Sequence, residues 1–529
     1  MRPTKTAYKN NFAMKKYLLL PALLIANALY AQVPEDVLKY SFFPQNGTAR
    51  VVAIGGAMGS LGGDITANFV NPAGLGNYKT GEFVYTPGFY LNNNNVNFRD
   101  TKVKSKDNNF AFLGGPIGFV YGAPSAYKKN TSHAISLAVN QTTNYNNRIQ
   151  YSGYNNYSSF SEQFAEKGVQ ALNKNGTIDD VLNDPAYAYD ASPAFDTYLI
   201  DTFSGNTVKA MPEFVLAQGK ALFQQSTIET SGGIYEVALG YAMNKNDKFL
   251  FGGSLGIPIV NYKSNSVFTE TDTSADHANN FSTFTYTDDF STKGVGINLK
   301  VGAIFKPSEY LRLGLAIHTP SYMFTLKDQR EVNLDVNSEN YKGARSVSST
   351  RFTNGVPGQS EYSLATPWKM MISGSYVIRE IENVAKQKGF ITADIEYVGY
   401  KGSSFYSANP NPETAEIDYY KLLNQVIKDE YKGAFNFRVG GELKFNVIMT
   451  RLGFAYYTNP YKSLDFSASK MLLSGGLGYR NKGFFVDLTY VYSINKDVDF
   501  PYRLGDKANT FASINNQLSN IVASVGVKF

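Results

Sequence analysis

The sequence predicts an all-β protein, a 14-stranded antiparallel barrel that crosses a membrane, and three observations carry that prediction. Charged residues are only 18% of the 529 residues while aromatics reach 14%, nearly all Tyr (38) and Phe (37). Runs in which apolar and polar residues alternate with period 2 recur along the chain. The connections between those runs alternate long and short, as in barrels with long loops at one end and tight turns at the other. After residue 31 no apolar run approaches the ~20 residues that a bilayer-crossing helix needs.

Residues 1–31 read as an export signal. Met14, a natural start, leads into Lys15-Lys16, an apolar stretch over 17–25, and the small-residue exit Ala26 to Gln32. Cleavage is expected after Ala31. The net charge of +6 sits mostly here: Arg2, Lys5, Lys9, Lys15 and Lys16 leave about +1 for the rest. No basic footprint for nucleic acid remains. With no Cys, disulfide scaffolds, thiolate zinc sites and cysteine nucleophiles are excluded.

Residues 32–81 do not read as barrel wall. Their cluster Gly55-Gly56-Ala57-Met58-Gly59-Ser60-Leu61-Gly62-Gly63-Asp64 lacks the spacing of a dinucleotide fingerprint and the Gly-Lys-Ser/Thr end of a phosphate loop. Farther on, Asn71-Pro72-Ala73-Gly74-Leu75 predicts a compact turn, because Pro fixes one backbone angle and Gly permits unusual ones.

The barrel strands are expected near 82–93, 110–121, 133–145, 232–244, 248–266, 289–305, 309–326, 362–378, 389–404, 433–445, 448–458, 471–480, 484–495 and 519–529. In 435–445, Phe435, Phe437, Val439, Leu443 and Phe445 alternate with Asn436, Arg438, Glu442 and Lys444. In 391–397, Ile391, Ala393, Ile395 and Tyr397 alternate with Thr392, Asp394 and Glu396. Apolar faces meet lipid and polar faces line a lumen, since lipid-facing Arg or Lys costs roughly 2–4 kcal/mol at the midplane. Glu236, Asp394, Glu396, Glu442 and Asp487, with Arg312, Arg438 and Arg451, then form a salt-bridged lumen network. The last run alternates through Ile521, Ala523, Val525 and Val527 to a terminal Phe529, like the end signal of outer-membrane barrels.

Short connections are predicted at 245–247, 306–308, 446–447 and 481–483, with 122–132 and 379–388 somewhat longer. Long ones fall at 94–109, 146–231, 267–288, 327–361, 405–432, 459–470 and 496–518. Segments 161–173 and 413–430 read as amphipathic helices that roof the barrel or pack on neighbouring loops. His133, His277 and His318 are too few and too scattered for a metal site. No catalysis, cofactor or metal is expected.

The string Asp64, Ala67, Phe69 and Asn71-Pro72-Ala73-Gly74-Leu75, after a signal and before an aromatic strand, resembles the amino-terminal hatch of the FadL/TodX family of outer-membrane transporters. The local match spans about fifty residues; the strand count extends it as architecture only. The resemblance implies a hatch at 32–81 that blocks the lumen, a barrel over 82–529, an apolar groove among the loops, and sideways exit through a kinked wall. The family's kink lies in the third strand, yet 133–145 has neither Gly nor Pro. The disturbed run is the second, Gly114-Gly115-Pro116-Ile117-Gly118, where Pro removes a ladder hydrogen bond; Pro258 and Pro320 are further breaks. The expected function is passive uptake of hydrophobic small molecules, of fatty-acid or aromatic-hydrocarbon type, with outer-membrane lipid around the barrel. The alternative is an accessory barrel of a protein-secretion machine, PorV-like in a type IX system, or of an outer-membrane assembly machine, whose loops would hold protein subunits.

Overall fold

Period-2 alternation places successive side chains on opposite faces of a strand, and closing such a sheet on itself pairs the backbone groups of its edge strands. The computed structural model describes residues 36–529 except 105–108, 126–129, 204–206, 275, 380–386 and 464–467; the expected export signal lies outside the described residues. The wall has fourteen antiparallel strands, several of them interrupted. They are β1 (Gly81–Tyr85, Pro87–Phe98), β2 (Asn109–Gly114, Ile117–Pro124), β3 (Thr131–Asn144, Asn147–Asn155), β4 (Leu222–Lys245) and β5 (Phe249–Asp272). Then come β6 (Thr283–Phe305), β7 (Leu311–His318, Tyr322–Asn337), β8 (Gly358–Ala365, Lys369–Arg379) and β9 (Gln387–Gly399, Ser404–Ser407). The last five are β10 (Gly433–Phe445), β11 (Ile448–Tyr457), β12 (Lys470–Asn481), β13 (Phe484–Asp499) and β14 (Ala512–Lys528). Each pairs with its sequence neighbours, and β1 pairs with β14 through Phe83↔Val527 and Phe89↔Ile521. The sheet closes on itself into a barrel.

All fourteen predicted runs are strands. On β10, Phe435, Phe437, Val439, Leu443 and Phe445 are exposed outward while Asn436, Arg438 and Glu442 are buried inward. At one end the turns are tight. Asn246, Asp247, Asn446, Lys482 and Gly483 take the positive φ that such hairpins require.

At the other end the strands outrun the prediction. β4 begins at Leu222, β5 continues to Asp272, β6 begins at Thr283 and β7 continues to Asn337, so the ends of the expected loops 146–231, 267–288 and 327–361 are strand. The physical reason is a change of phase. On β7, Tyr322 and Phe324 face outward, but above them Lys327 and Gln329 do, while Leu326, Val332, Leu334 and Val336 are buried inside. These inverted faces close over a helix at Glu162–Asn175, forming a dome whose core joins Phe160, Phe164, Phe195, Phe268, Phe284 and Tyr502.

Inside the barrel lies the amino-terminal segment: α1 (Asp36–Lys39), α2 (Ala49–Ala53) and two 3₁₀ turns, Ile65–Phe69 and Pro72–Asn77. The two expected loop helices follow as α3 (Glu162–Asn175) and α4 (Thr414–Glu430). α3 packs in the dome; α4 buries Tyr419, Tyr420, Leu423 and Ile427 but leaves Ile417 and Leu422 exposed.

Candidate functional site

The lumen is filled in layers. Nearest the tight turns sits the amino-terminal segment, capped from within. Asp64 accepts the Thr66 N–H at 3.0 Å and the Thr48 hydroxyl at 2.8 Å. Asn71 accepts the Ala73 N–H at 3.1 Å, with Pro72 at the first position of its turn. Gly74 packs against Gly62, whose Cα a Cβ would approach to 2.8 Å, and Leu75 is fully buried. Asn71 also donates to Gly59 O at 2.6 Å and to the wall carbonyls of Ala303 and Leu315, both at 3.3 Å. The wall meets this backbone with glycine. A Cβ at Gly252 would lie 2.5 Å from Pro72, and one at Gly314 2.4 Å from Gly59 O.

Above this floor the predicted polar residues separate into clusters instead of one network. Arg451 bridges Glu442 and Asp487, each at 2.6 Å, with Arg50 and Arg480 nearby. Arg438 lies 3.4 Å from Glu396 and 3.8 Å from Asp394; Asp394 accepts the N–H groups of Met58 and Gly59 at 3.1 and 3.2 Å. Glu236 pairs with Lys300, a partner the sequence reading missed although Lys300 shares the inward register of Asn298. Arg312 departs from the expected network: it donates to Leu61 O at 2.8 Å and so clamps the amino-terminal segment. His318 faces Val70 O at 2.8 Å, His133 the Tyr241 hydroxyl, and His277 Glu339 in a loop.

Next comes a cavity of about 80 Å³ among Glu236, Lys300, His318, Lys369, Glu396 and Arg438. Over it an apolar chamber joins Tyr362, Leu364, Tyr400, Phe405 and the buried face of α4. The chain's own Val37, Tyr40 and Phe42 occupy this chamber. Lys470 donates to Phe42 O at 2.7 Å and stands 4.5 Å over its ring.

The wall is broken between β2 and β3. Their ladder runs from Pro124↔Ser132 to Ile117↔Val139 and stops. Beyond it, Gly114 N–H donates to the Gln141 side chain at 2.7 Å, and Gly114 O accepts Asn46 Nδ2 at 3.0 Å. Asn46 also reaches Gln141 O at 2.7 Å, and Asn144 donates to Phe112 O at 2.8 Å. Side chains thus stand in for a backbone ladder. Gly115 and Pro116 lie in the interruption of β2. Gly118 does not; it pairs with Val84 and Ala138 within an intact ladder.

The third strand is disturbed as well, without Gly or Pro. β3 shifts register opposite Ile234/Tyr235, stops at Asn144 and resumes at Asn147. There it leans over the inner face of β1: Asn94 donates to Asn147 at 2.8 Å, and the Phe98 and Tyr151 rings are 4.9 Å apart. Pro258 stays in β5, although its rung to β6 is missing, and Pro320 lies in the gap of β7.

No family model and no curated protein matches the sequence. Among solved structures, the toluene transporter TodX of Pseudomonas putida is similar at TM-score 0.50 and 12% identity, over 92% of this chain and 99% of that one. A FadL homologue of Pseudomonas aeruginosa is similar at TM-score 0.50 and 13% identity, over 92% and 100%. The chain has the FadL/TodX-type barrel fold. Shared fold across so little identity leaves the function to be argued from the lumen and its wall.

Proposed function

We propose that this FadL/TodX-type barrel is an outer-membrane channel for passive uptake of hydrophobic small molecules. The single observation that carries the reading is the break at Gly114-Gly115-Pro116, bridged by side chains of Asn46, Gln141 and Asn144. A backbone ladder seals a wall with groups that cannot move independently; amide side chains seal it with groups that can rotate away. Ligand enters under α4, displaces Val37, Tyr40 and Phe42 from the apolar chamber, and leaves sideways into lipid where Asn46 swings off Gly114. Residues 36–78 act as the hatch, with the Asn71-Pro72-Ala73-Gly74-Leu75 turn seated on the wall. The named transporter supports a hydrophobic cargo, and nothing in the two similar structures supports the accessory-subunit alternative.

The test is Gly114→Trp. A Cβ there meets only the Gln141 side chain, at 3.4 Å, and no backbone within 4 Å, so a side chain grown from this position starts without a backbone clash and is aimed at the bridged break. Uptake of radiolabelled oleate and of toluene by cells expressing the variant is expected to fall about tenfold or more, with barrel amount unchanged on a heat-modifiability gel. Wild-type uptake of both ligands through Gly114→Trp would refute the lateral route.

A further inference from the structure

Strands β5, β6 and β7 carry three outward lysines at nearly one height. Lys293 on β6 stands directly opposite Lys327 on β7. Lys263 on β5 pairs with Ser291, which puts it diagonal to Lys293. All three are exposed. Opposed outward side chains start ~4.5–5.5 Å apart at Cβ and diagonal ones ~7–8 Å, so like charges in these positions repel.

Acidic neighbours do not account for the cluster. Glu361 on β8 pairs with Lys327 at 2.7 Å, but Lys263 and Lys293 have no ion-pair partner among the described residues. Asp289 and Glu331 face outward two rungs farther from the membrane, opposite each other, and Asp289 is engaged by Asn265 at 2.7 Å. Glu229 is taken by Arg148 at 3.0 Å.

The height of the cluster identifies what faces it. Directly beneath lie Ile259, paired with Val295, and Phe324, all exposed and apolar. On β6 the ten residue steps from Phe305 to Val295 rise about 33 Å along the strand and about 25 Å along a barrel axis tilted by ~40°, the depth of an apolar band. Lys293 is the next outward residue. A lone lysine there would merely snorkel; an opposed pair with a third cation beside it, only Lys327 being matched by a carboxylate, leaves about two positive charges for an anion to neutralise.

We propose that Lys263, Lys293 and Lys327 bind the phosphate of a lipid headgroup in the leaflet around the long-loop end. A phosphate monoester brings roughly −1.5 to −2 charge and three acceptor oxygens, which suits three ammonium groups better than any single carboxylate. The inference rests on the membrane-spanning barrel and is independent of what passes through the lumen.

The test uses the purified full chain in a neutral detergent with three probes: diphosphoryl lipid A, lipid A stripped of phosphate, and inorganic phosphate. Each lysine beside an anionic headgroup is worth roughly a factor of five. The K263Q/K293Q/K327Q variant is therefore expected to bind diphosphoryl lipid A about a hundredfold more weakly than wild type. Stripped lipid A should bind both proteins alike, and inorganic phosphate should not compete. Equal lipid binding by wild type and variant overturns the proposal, as does competition by free phosphate. A second readout separates ligation from a structural role. Lys293→Thr should raise the thermal midpoint in lipid-free detergent by relieving repulsion, and should lose the extra stabilisation that diphosphoryl lipid A gives wild type. A lower midpoint without lipid would also sink the site.

Discussion

Arg451 shows how far single residues were legible. Its inward register on β11 was readable from alternation, and so were Glu442 and Asp487. Of their junction, the two-residue turn at 446–447 sets Glu442 opposite Arg451, but Asp487 lies two strands away, where the meeting depends on registers the sequence leaves open. The same gap hid Lys300 beneath Glu236 and Asn46 beneath Gly114. Arg451 is fully buried between two carboxylates at 2.6 Å, so Arg451→Met takes the nearest cation from both and leaves Glu442 only Arg50 at 3.7 Å and Asp487 only Arg480 at 3.8 Å. A loss of about 3–5 kcal/mol is expected, read as a lower guanidinium midpoint in detergent. Glu270 makes the complementary case in the dome, eleven residues and roughly 35 Å past Ile259 along β5. Burial pushes its carboxyl up to about 7, against hydrogen bonds from Ser159, Gln224 and the Phe160 N–H. A raised acid stabilises the fold fully below its unfolded value near 4.5 and loses that contribution as pH rises through about 7. Wild-type dome stability should therefore fall by about 3 kcal/mol between pH 4.5 and 8 relative to Glu270→Gln. A pH-independent difference in thermal midpoint would refute this.

At the scale of elements, alternation located every strand but ended several too soon. It ended them where the faces exchange roles: on β5, Ile257 and Ile259 face out, then Asn261 and Lys263 do, while Val260 and Phe268 point in. A single-phase search stops at that crossing. The wall break was half legible. Gly114-Gly115-Pro116 announced itself by composition, but β3 bends at Tyr145 and Asn146 because its continuation has apolar partners inside, Ile149 and Tyr151 against Val96 and Phe98. No local breaker residue signals a bend made by tertiary packing. The seat of the amino-terminal segment was legible only as polar-face glycines, whose use appears once Pro72 is placed 2.5 Å from a Cβ at Gly252. Gly252→Leu would push against backbone there, not a yielding side chain. It is expected to unseat the turn at 72–77 and raise single-channel conductance in planar bilayers severalfold, while the barrel stays folded. Unchanged conductance would mean that the segment does not seal the lumen.

For the whole molecule, the proposed outer-membrane setting predicts that two belts of outward aromatics mark where lipid begins and ends. One lies by the tight turns: Phe249 and Phe305 stacked at 4.8 Å, Tyr310 and Tyr376 at 6.1 Å, with Phe445 and Phe484 exposed beside them. The other lies where the faces exchange roles: Trp368 against Tyr397 at 5.4 Å, Tyr397 against Phe435 at 5.2 Å, and exposed Tyr322 and Phe324. Aromatic rings with a polar edge gather at both interfaces of a bilayer. From Tyr376 to Trp368, just past the end of the Lys369–Arg379 piece of β8, the chain rises about 26 Å along the strand and about 20 Å along a barrel axis tilted by ~40°, so the two belts lie within the ~25 Å height of a barrel's lipid-facing band. Trp368 is the one tryptophan of the chain and is 41% exposed, so its fluorescence reports depth without mutation. In bilayers of brominated phosphatidylcholine, bromine near the headgroup should quench Trp368 at least about twice as strongly as bromine near the chain ends. Stronger quenching from the bilayer centre would move the belt inward and carry the lysines above it into hydrocarbon, where three clustered cations cost too much to persist. The belt, the exchange of faces and the lysine cluster thus stand or fall on one depth measurement.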